Sequence, residues 1–240
     1  MNMENMSEYR SCVSRETTNL FLSSFRKALK KVDKKKFSFI SVVGSAIEKD
    51  LIHDIDIIVF PGVSVKLGES ILEMAKLYDL TEKELKKHHK RYYLVTAPKF
   101  AMQEATYHLA STQEGSAGMV PIHSMFFANY RDFKKMSPKR FIERVLNDSH
   151  VIHGSLADVK KVPKLSQKKL EPYFFILDFE MNARIKKFPQ HLTRASAEAL
   201  FDYLHKKYGL NVDKNISHSL KGLEKEFRAL IHELDKKTYG

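Results

Sequence analysis

Two different periods of hydrophobic and polar residues alternate along the first part of the chain. Over residues 16–32, apolar side chains recur every three or four positions, which predicts an amphipathic helix with Thr17 or Thr18 as its N-cap. Residues 37–43 and 54–60 are instead short, mostly apolar runs rich in β-branched side chains. Each run is followed by a glycine or a Pro-Gly pair, so we expect two strands here.

The alternation of helical and strand patterns continues to about residue 154. A short helix is expected from Ser45 to about Leu51, and β-branched or aromatic runs predict further strands, including a hairpin around the turn-rich segment 113–118. The remaining elements predicted in this part are helices at 65–80, 81–91 and 137–147, a strand at 91–98, and hairpin strands at 102–111 and 119–127. Mixed helices and strands predict an α/β (α+β) domain with a mixed sheet.

The pattern changes after the basic segment 155–166, beyond which only helical periodicity remains. Three apolar stripes predict helices: Leu170, Phe174, Leu177 and Met181; Leu192, Ala195, Ala199 and Tyr203; and Leu220, Leu223, Phe227, Leu230 and Leu234. We therefore expect an α/β domain over residues 1–155 and an all-α helical bundle within a second domain over residues 156–240.

The charge of the chain points to polyanionic partners. Its 240 residues carry a net charge of +12, and lysines cluster at 27–36, 83–91, 132–140 and 158–169. Neutralising phosphates with such side chains releases condensed counterions, so RNA or a nucleotide is the expected partner. The alternative is that these lysines are only solvated helix ends and linkers. No apolar run reaches membrane-spanning length and the N-terminal residues are polar, so we expect a cytoplasmic protein without a membrane partner.

Two aspartates on one predicted strand are the main candidates for chemistry. Asp54 and Asp56 stand two residues apart, so on a strand they project from the same side and can ligate the same divalent cation. Carboxylate oxygens favour Mg²⁺ or Mn²⁺. Ten residues upstream, Gly44 and Ser45 follow the preceding strand, and backbone N–H groups at a helix start there would receive a phosphate.

This constellation resembles the polymerase-β-like nucleotidyltransferase superfamily. The matching residues are Val43-Gly44-Ser45, a spacer, and Asp54-Ile55-Asp56-Ile57. The resemblance implies that Gly44 and Ser45 hold the triphosphate of an NTP, while Asp54 and Asp56 bind Mg²⁺ or Mn²⁺. It also implies a minimal nucleotidyltransferase domain followed by helices, and transfer of an NMP to a hydroxyl acceptor with release of pyrophosphate.

The chain departs from the family pattern at the third carboxylate, which the family usually supplies from a later strand. His123 stands at the corresponding place, between Ile122 and Ser124. It is a candidate metal ligand, a candidate base for the acceptor hydroxyl, or a hydrogen-bonded strand histidine. Glu104, on the predicted neighbouring strand, is a candidate substitute carboxylate or a surface residue.

Three functions are compatible with these features. The first is a metal-dependent nucleotidyltransferase whose acceptor is RNA, such as a tRNA 3′ end, with a small molecule or a protein side chain as alternatives. The second is a catalytically degenerate domain that binds RNA or a protein. The third is a helical ribonuclease using Arg184 and His191, although Pro189 lies between them and Arg144 and His150 have a similar spacing.

Overall fold

A five-stranded mixed sheet is the central element of the protein. The computed structural model describes residues 13–43, 51–52, 55–88, 92–96, 120–137, 139–166, 168–173, 175–176, 190–211 and 220–240. Within these ranges the chain is an α+β protein, with helices on both faces of the sheet.

Strands and helices alternate along the chain up to residue 154, and only helices follow in the described residues after it. In the first part these are β1 (Val13–Ser14), α1 (Arg15–Leu29), a 3-10 turn (Lys34–Lys36), β2 (Phe37–Val43), β3 (Leu51–Ile52), β4 (Ile55–Pro61) and α2 (Leu67–Lys86). The later elements are β5 (Tyr92–Thr96), β6 (Val120–Phe126), α3 (Tyr130–Met136), α4 (Lys139–Asn147), β7 (His150–Gly154), α5 (Leu156–Val159), α6 (Gln190–Tyr208) and α7 (Leu220–Tyr239).

The strand order across the sheet is β5-β6-β4-β2-β7. Strand β2 is antiparallel to both β4 and β7, whereas β6 is parallel to both β4 and β5. Strands β1 and β3 form a separate two-stranded ribbon. Because the central strands β2 and β4 are covered on both faces, almost all of their side chains are buried, which explains their nearly continuous apolar sequences.

One face of the sheet packs against α1, α2 and the C-terminal helices. Phe21 and Phe25 of α1 and Ile57 of β4 are fully buried in this layer. The same hydrophobic cluster includes Tyr173, Leu204 and Leu230, so the described C-terminal helices share their core with the sheet layer. Burying each such large side chain stabilises the fold by about 1.5–3 kcal/mol.

The other face of the sheet packs against α3, α4 and α5. Phe60 of β4 contacts Phe127 and Phe133, with ring centroids 5.7 and 5.6 Å away. Val145 of α4 and Val159 of α5 complete this smaller hydrophobic cluster. These aromatic contacts fix α3–α5 over the face of β4 to which Phe60 belongs.

Helix α2 has no side-chain cap of its own, because residue 66 at its N-cap position is a lysine. Helix α7 supplies the missing acceptors instead. The Gly68 backbone N–H donates to Oδ1 of Asp235 over 3.0 Å, and the Leu67 N–H donates to the Tyr239 hydroxyl over 3.0 Å. Free N–H groups at a helix start need such partners, so α7 is attached to α2 by hydrogen bonds as well as by apolar contacts.

The predicted strands at 37–43 and 54–60 are confirmed as β2 and β4, and the helix at 137–147 as α4. The predicted N-cap of the first helix is wrong. The helix begins at Arg15, and Thr18 is buried within it. The two helices expected at 65–80 and 81–91 form one continuous helix, α2, because residues 80 and 81 carry no helix-breaking side chain.

The predicted hairpin is wrong along β6. Strand β4 occupies one side of β6 and β5 the other, and both run parallel to it, so among the described strands β6 has no antiparallel hairpin partner. The predicted partner segment, 102–111, lies outside the described residues. The end of the helix expected from Ser45 to about Leu51 is also wrong, since Leu51 pairs with Ser14 in the β1–β3 ribbon.

The predicted C-terminal stripes are correct for Phe227, Leu230 and Leu234, which are buried. The prediction that Tyr203 is a core residue is wrong, because its side chain is 36% exposed, whereas Phe201 and Leu204 are buried. The bundle and the division between residues 155 and 156 stay predictions. None of the described helices has both the length and the apolar character needed to cross a membrane.

Candidate functional site

Asp56 is the second residue of β4 and the one half-buried residue in an otherwise buried strand. Ile55 and Ile57 belong to the core formed with α1 and α2, whereas Ile58 and Phe60 belong to the core beneath α3–α5. Because successive strand residues point to opposite faces, Asp56 lies on the α3–α5 face. Its partial exposure leaves this carboxylate in an environment that tolerates charge.

The strand register brings the separate predicted motifs to one row across the sheet. Asp56 lies opposite Val43 of β2 and opposite His123 of β6. Val43 directly precedes the Gly44-Ser45 pair, so the first residue of the first motif lies beside the second aspartate of the second motif. On the far side of β6, His123 lies opposite Val95 of β5. The backbone therefore gathers residues far apart in sequence around Asp56.

Several predicted site residues lie outside the described part of the chain. These are Gly44, Ser45, Asp54 and Glu104, and His123 is described by its backbone position alone. The roles expected for these residues stay predictions: triphosphate binding for Gly44 and Ser45, metal binding for Asp54, a substitute carboxylate for Glu104, and a metal ligand or base for His123. What the structure adds is the relative placement of the strands that carry Asp56 and His123.

The chemistry of the acidic residues fits Mg²⁺ or Mn²⁺. Both cations prefer carboxylate oxygens, and Asp54 and Asp56, two residues apart in the sequence, would provide these. Among the side chains that the structure describes, no group of three or more His, Cys, Asp or Glu residues is arranged to hold a metal ion. A metal site at Asp56 would need further ligands, for which Asp54, His123 and a bound phosphate are the candidates.

Two of the four lysine clusters contact carboxylates of the same layer. Lys31 of the first cluster lies 2.8 Å from Glu84, and Lys87 of the second lies 2.9 Å from the same side chain. Hydrogen bonds from these two ammonium groups lower the pKa of Glu84 to about 2. Lys36 lies 2.5 Å from Glu69, and this hydrogen bond raises the pKa of Lys36. Lys31 and Lys36 thus join the end of the first helix and the following turn to α2, whereas Lys87 pairs with a residue of α2 itself.

The two predicted ribonuclease pairs gain no support from the described contacts. Arg184 lies outside the described residues, and His191 is placed only by the backbone of α6. Arg144 is exposed on α4, whereas His150 accepts a hydrogen bond from the guanidinium group of Arg26 on α1. His150 therefore connects the edge strand β7 to α1.

Tyr130 is a residue that the sequence patterns did not single out. It is half-buried at the start of α3, and the ammonium groups of Lys134 and Lys160 lie 6.0 and 5.7 Å from its ring centroid. The Tyr130 and Lys134 pair has the four-residue helical spacing that could have indicated this contact. The contact with Lys160 depends on the docking of α5 and has no local sequence signal.

Comparison with known proteins adds no further assignment. No protein family, no curated protein and no solved structure matches the chain. The candidate site is therefore defined by its own residues, by the row formed by Val43, Asp56 and His123, and by the cations on the same side of the sheet.

Proposed function

We propose that this protein is a metal-dependent nucleotidyltransferase that transfers an NMP from an NTP to a hydroxyl acceptor. The observation that supports this proposal best is the register of Asp56 with Val43 and His123. This register brings together three strands: the acidic strand, the strand that ends just before Gly44 and Ser45, and the later strand at which the nucleotidyltransferase pattern places its third ligand.

In this proposal Asp54 and Asp56 hold the divalent cations, and Gly44 and Ser45 receive the triphosphate through backbone N–H groups and the serine hydroxyl. Bound Mg²⁺ or Mn²⁺ supplies charge neutralisation of the triphosphate and activation of the acceptor hydroxyl. The aspartates must therefore be ionised, and the half-buried position of Asp56 is compatible with a charged carboxylate.

The reaction forms one bond and breaks one. The acceptor oxygen bonds to the α-phosphorus of the NTP, and the bond from that phosphorus to the bridging oxygen of the β-phosphate breaks, which releases pyrophosphate. The proton of the acceptor hydroxyl leaves to a base, and His123 is the proposed base because its backbone lies beside Asp56. A neutral imidazole near pH 7 is suited to accept it.

The proposed acceptor is RNA, because the chain carries a net charge of +12. The test is incubation of the full chain with each of the four α-³²P-labelled NTPs, Mg²⁺ or Mn²⁺, and total RNA or a cell extract. Label that enters RNA with the wild type, and not with the Asp54→Asn, Asp56→Asn variant, supports the proposal. If the label enters a protein or a small molecule instead, the proposed reaction is supported and the proposed acceptor is wrong.

A second candidate function is a catalytically degenerate domain that binds RNA or a protein without turnover. The observation in its favour is again position 123, where a histidine lies opposite Asp56 in place of an acid. The same assay distinguishes the two candidates. Wild-type protein that binds RNA, but transfers no label from any NTP with either metal, favours the degenerate domain.

A further inference from the structure

The cations of this protein differ in their partners. On the α1–α2 side, Lys31, Lys36, Lys86 and Lys87 contact carboxylates, as do Lys207 and Lys237 of the C-terminal helices. Other lysines of the cluster 27–36 are exposed and form no ion pair within the described part of the chain: Lys27, Lys30, Lys34 and Lys35. A cation with a carboxylate partner must exchange that partner for a phosphate, so it gains less from binding than a cation without one, although an exposed pair is weak.

On the opposite side of the sheet, segment 130–164 contains nine Lys and Arg but only four Asp and Glu, a net charge of +5. Two of its lysines have carboxylate partners, Lys139 with Glu143 at 3.9 Å and Lys161 with Asp158 at 2.9 Å. In the part of the chain that the structure describes, the other cations are exposed and form no ion pair: Arg131, Lys134, Lys135, Arg140, Arg144, Lys160 and Lys164. We call these residues together with Tyr130 the α3–α5 surface.

Tyr130 is the point where two lysine clusters of the sequence meet. Lys134 comes from the cluster 132–140 and Lys160 from the cluster 158–169, and both ammonium groups lie within about 6 Å of the ring centroid. The ring itself rests on Phe133, 6.1 Å away between centroids, which fixes its position. An aromatic ring with a cation on each of two elements is the combination on which single-stranded nucleic acids bind, with a base stacked and neighbouring phosphates neutralised.

We infer that the α3–α5 surface binds single-stranded RNA through a base stacked at Tyr130 and phosphates held by Lys134 and Lys160. An acidic peptide or an anionic membrane would use the cations but not the aromatic face, and a duplex would not expose a base to it. The surface lies on the same side of the sheet as Asp56. That the bound RNA is the acceptor of the reaction rests on the proposed function. The binding of RNA itself needs neither NTP nor metal.

The first test measures fluorescence anisotropy of a labelled, unstructured twelve-nucleotide oligouridylate with the full chain, without NTP or divalent cation, at several salt concentrations. The test variant is Lys134→Gln, Lys160→Gln. Losing two single-strand phosphate contacts weakens binding about twentyfold at 0.1 M salt and reduces the slope of log K against log[salt] by about 1.4. The matched control is Lys206→Gln, Lys236→Gln, which removes the same charge from exposed positions on α6 and α7.

The expected result for the control variant is binding within about twofold of the wild type, since surface lysines away from the contact act only through long-range charge. Equal weakening by the test and control variants, or an unchanged affinity of the test variant, would overturn the inference. Because all four lysines are exposed, none of these substitutions threatens the fold.

The second test separates stacking from charge at Tyr130. Tyr130→Ala should weaken oligouridylate binding about tenfold, and Tyr130→Phe should retain it, because every base stacks on a phenyl ring. Thermal unfolding checks that Tyr130→Ala is folded; the lysine variants decide the inference if it is not. If poly-L-glutamate of matched charge competes as strongly as unlabelled oligouridylate, and Tyr130→Ala binds as the wild type does, the surface fits an acidic protein and the inference is wrong.

The RNA-binding inference and the proposed reaction can each be refuted without the other. Loss of binding in the test variant, in a protein that transfers no label, would leave the RNA surface in place and remove the nucleotidyltransferase. If the test variant binds RNA and transfers label to it as well as the wild type does, the proposed reaction is supported, and the acceptor binds elsewhere on the protein.

Discussion

Asp56 of β4 and His123 of β6 lie directly opposite each other in a parallel strand pair. The two residues are far apart in sequence, so only the sheet register brings their backbones together. On its other side, Asp56 lies opposite Val43. A half-buried carboxylate in the middle of this row gives the strand no packing advantage, and the proposed metal site would account for it.

Asp56→Asn should reduce nucleotide transfer at least about a hundredfold, because the amide removes a charged oxygen ligand while keeping the side-chain shape. The fold should be preserved, with a melting temperature within a few degrees of the wild type. Asp148→Asn is the matched control, since Asp148 is an exposed aspartate at the end of α4. Full activity of Asp56→Asn would remove this residue from the metal site.

The contact between α2 and α7 predicts a difference between two substitutions of one residue. Asp235 is 3% exposed and accepts hydrogen bonds from the Tyr173 hydroxyl, at 2.7 Å, and from the Gly68 N–H, at 3.0 Å. Asp235→Ala leaves the Gly68 N–H buried without its acceptor and the Tyr173 hydroxyl with Thr238 as its remaining partner, so it should lower the free energy of unfolding by about 2–4 kcal/mol. Asp235→Asn keeps an acceptor oxygen and should cost less than half as much in urea unfolding. Equal losses would show that these hydrogen bonds do not hold α7 to α2.

Glu84 predicts a pH dependence of stability on the α1–α2 side. Lys31 and Lys87 lower the pKa of Glu84 in the folded protein from 4.5 to about 2. A lowered pKa means that the unfolded chain binds the proton more tightly, so this stabilisation is complete above pH 4.5 and is lost as the pH falls towards 2. The difference in unfolding free energy between wild type and Glu84→Gln should therefore shrink over this range.

Glu82 provides the control for that measurement, because it lies on the same helix and its side chain is 54% exposed in its pair with Lys86. The difference between wild type and Glu82→Gln should change little between about pH 5 and pH 3. A difference for Glu84→Gln that is constant with pH would contradict the assignment of the lowered pKa to its lysine contacts.

Gly154 ends the edge strand β7 with a φ of +74°, and a Cβ atom there would lie 1.8 Å from the carbonyl oxygen of Ser38. Gly154→Ala should therefore destabilise the protein by at least about 2 kcal/mol, from the left-handed backbone and the clash together. Gly209→Ala separates the two causes, since Gly209 has a φ of +62° and only a flexible Lys237 side chain near its Cβ position. Its cost in chemical unfolding should stay near about 1 kcal/mol. Equal costs would show that the approach of Ser38 is unimportant.

The local elements near the site could be predicted from the sequence, because their causes are local. The apolar runs of β2 and β4 reflect burial on both faces, and the two strands are where the patterns put them. Strand pairing depends on the whole chain, so the sequence did not reveal that β5 lies beside β6 and runs parallel to it. The position of Tyr203 was missed for a similar reason: a Lys207 ammonium and the Phe175 ring contact it at the surface.

The candidate site could be predicted only as a set of residue types. The Gly44-Ser45 pair and the Asp54, Asp56 pair indicate a metal and phosphate site only in combination, in this order and with an apolar run next to each, whereas the register that places the His123 backbone beside Asp56 is a property of the sheet. The division of the lysines is also non-local. The four clusters look alike in sequence, and only packing shows that Lys31 contacts Glu84 while Lys134 and Lys160 contact Tyr130.

The most direct test of the proposed reaction follows two labels of the same NTP with the wild-type protein, Mg²⁺ or Mn²⁺ and RNA. Nucleotidyl transfer predicts that the α-³²P label enters the RNA while the γ-³²P label is released as pyrophosphate, with both signals lost in Asp54→Asn, Asp56→Asn. Entry of the γ label into the acceptor, or no movement of either label with any NTP, would rule out nucleotidyl transfer by this protein.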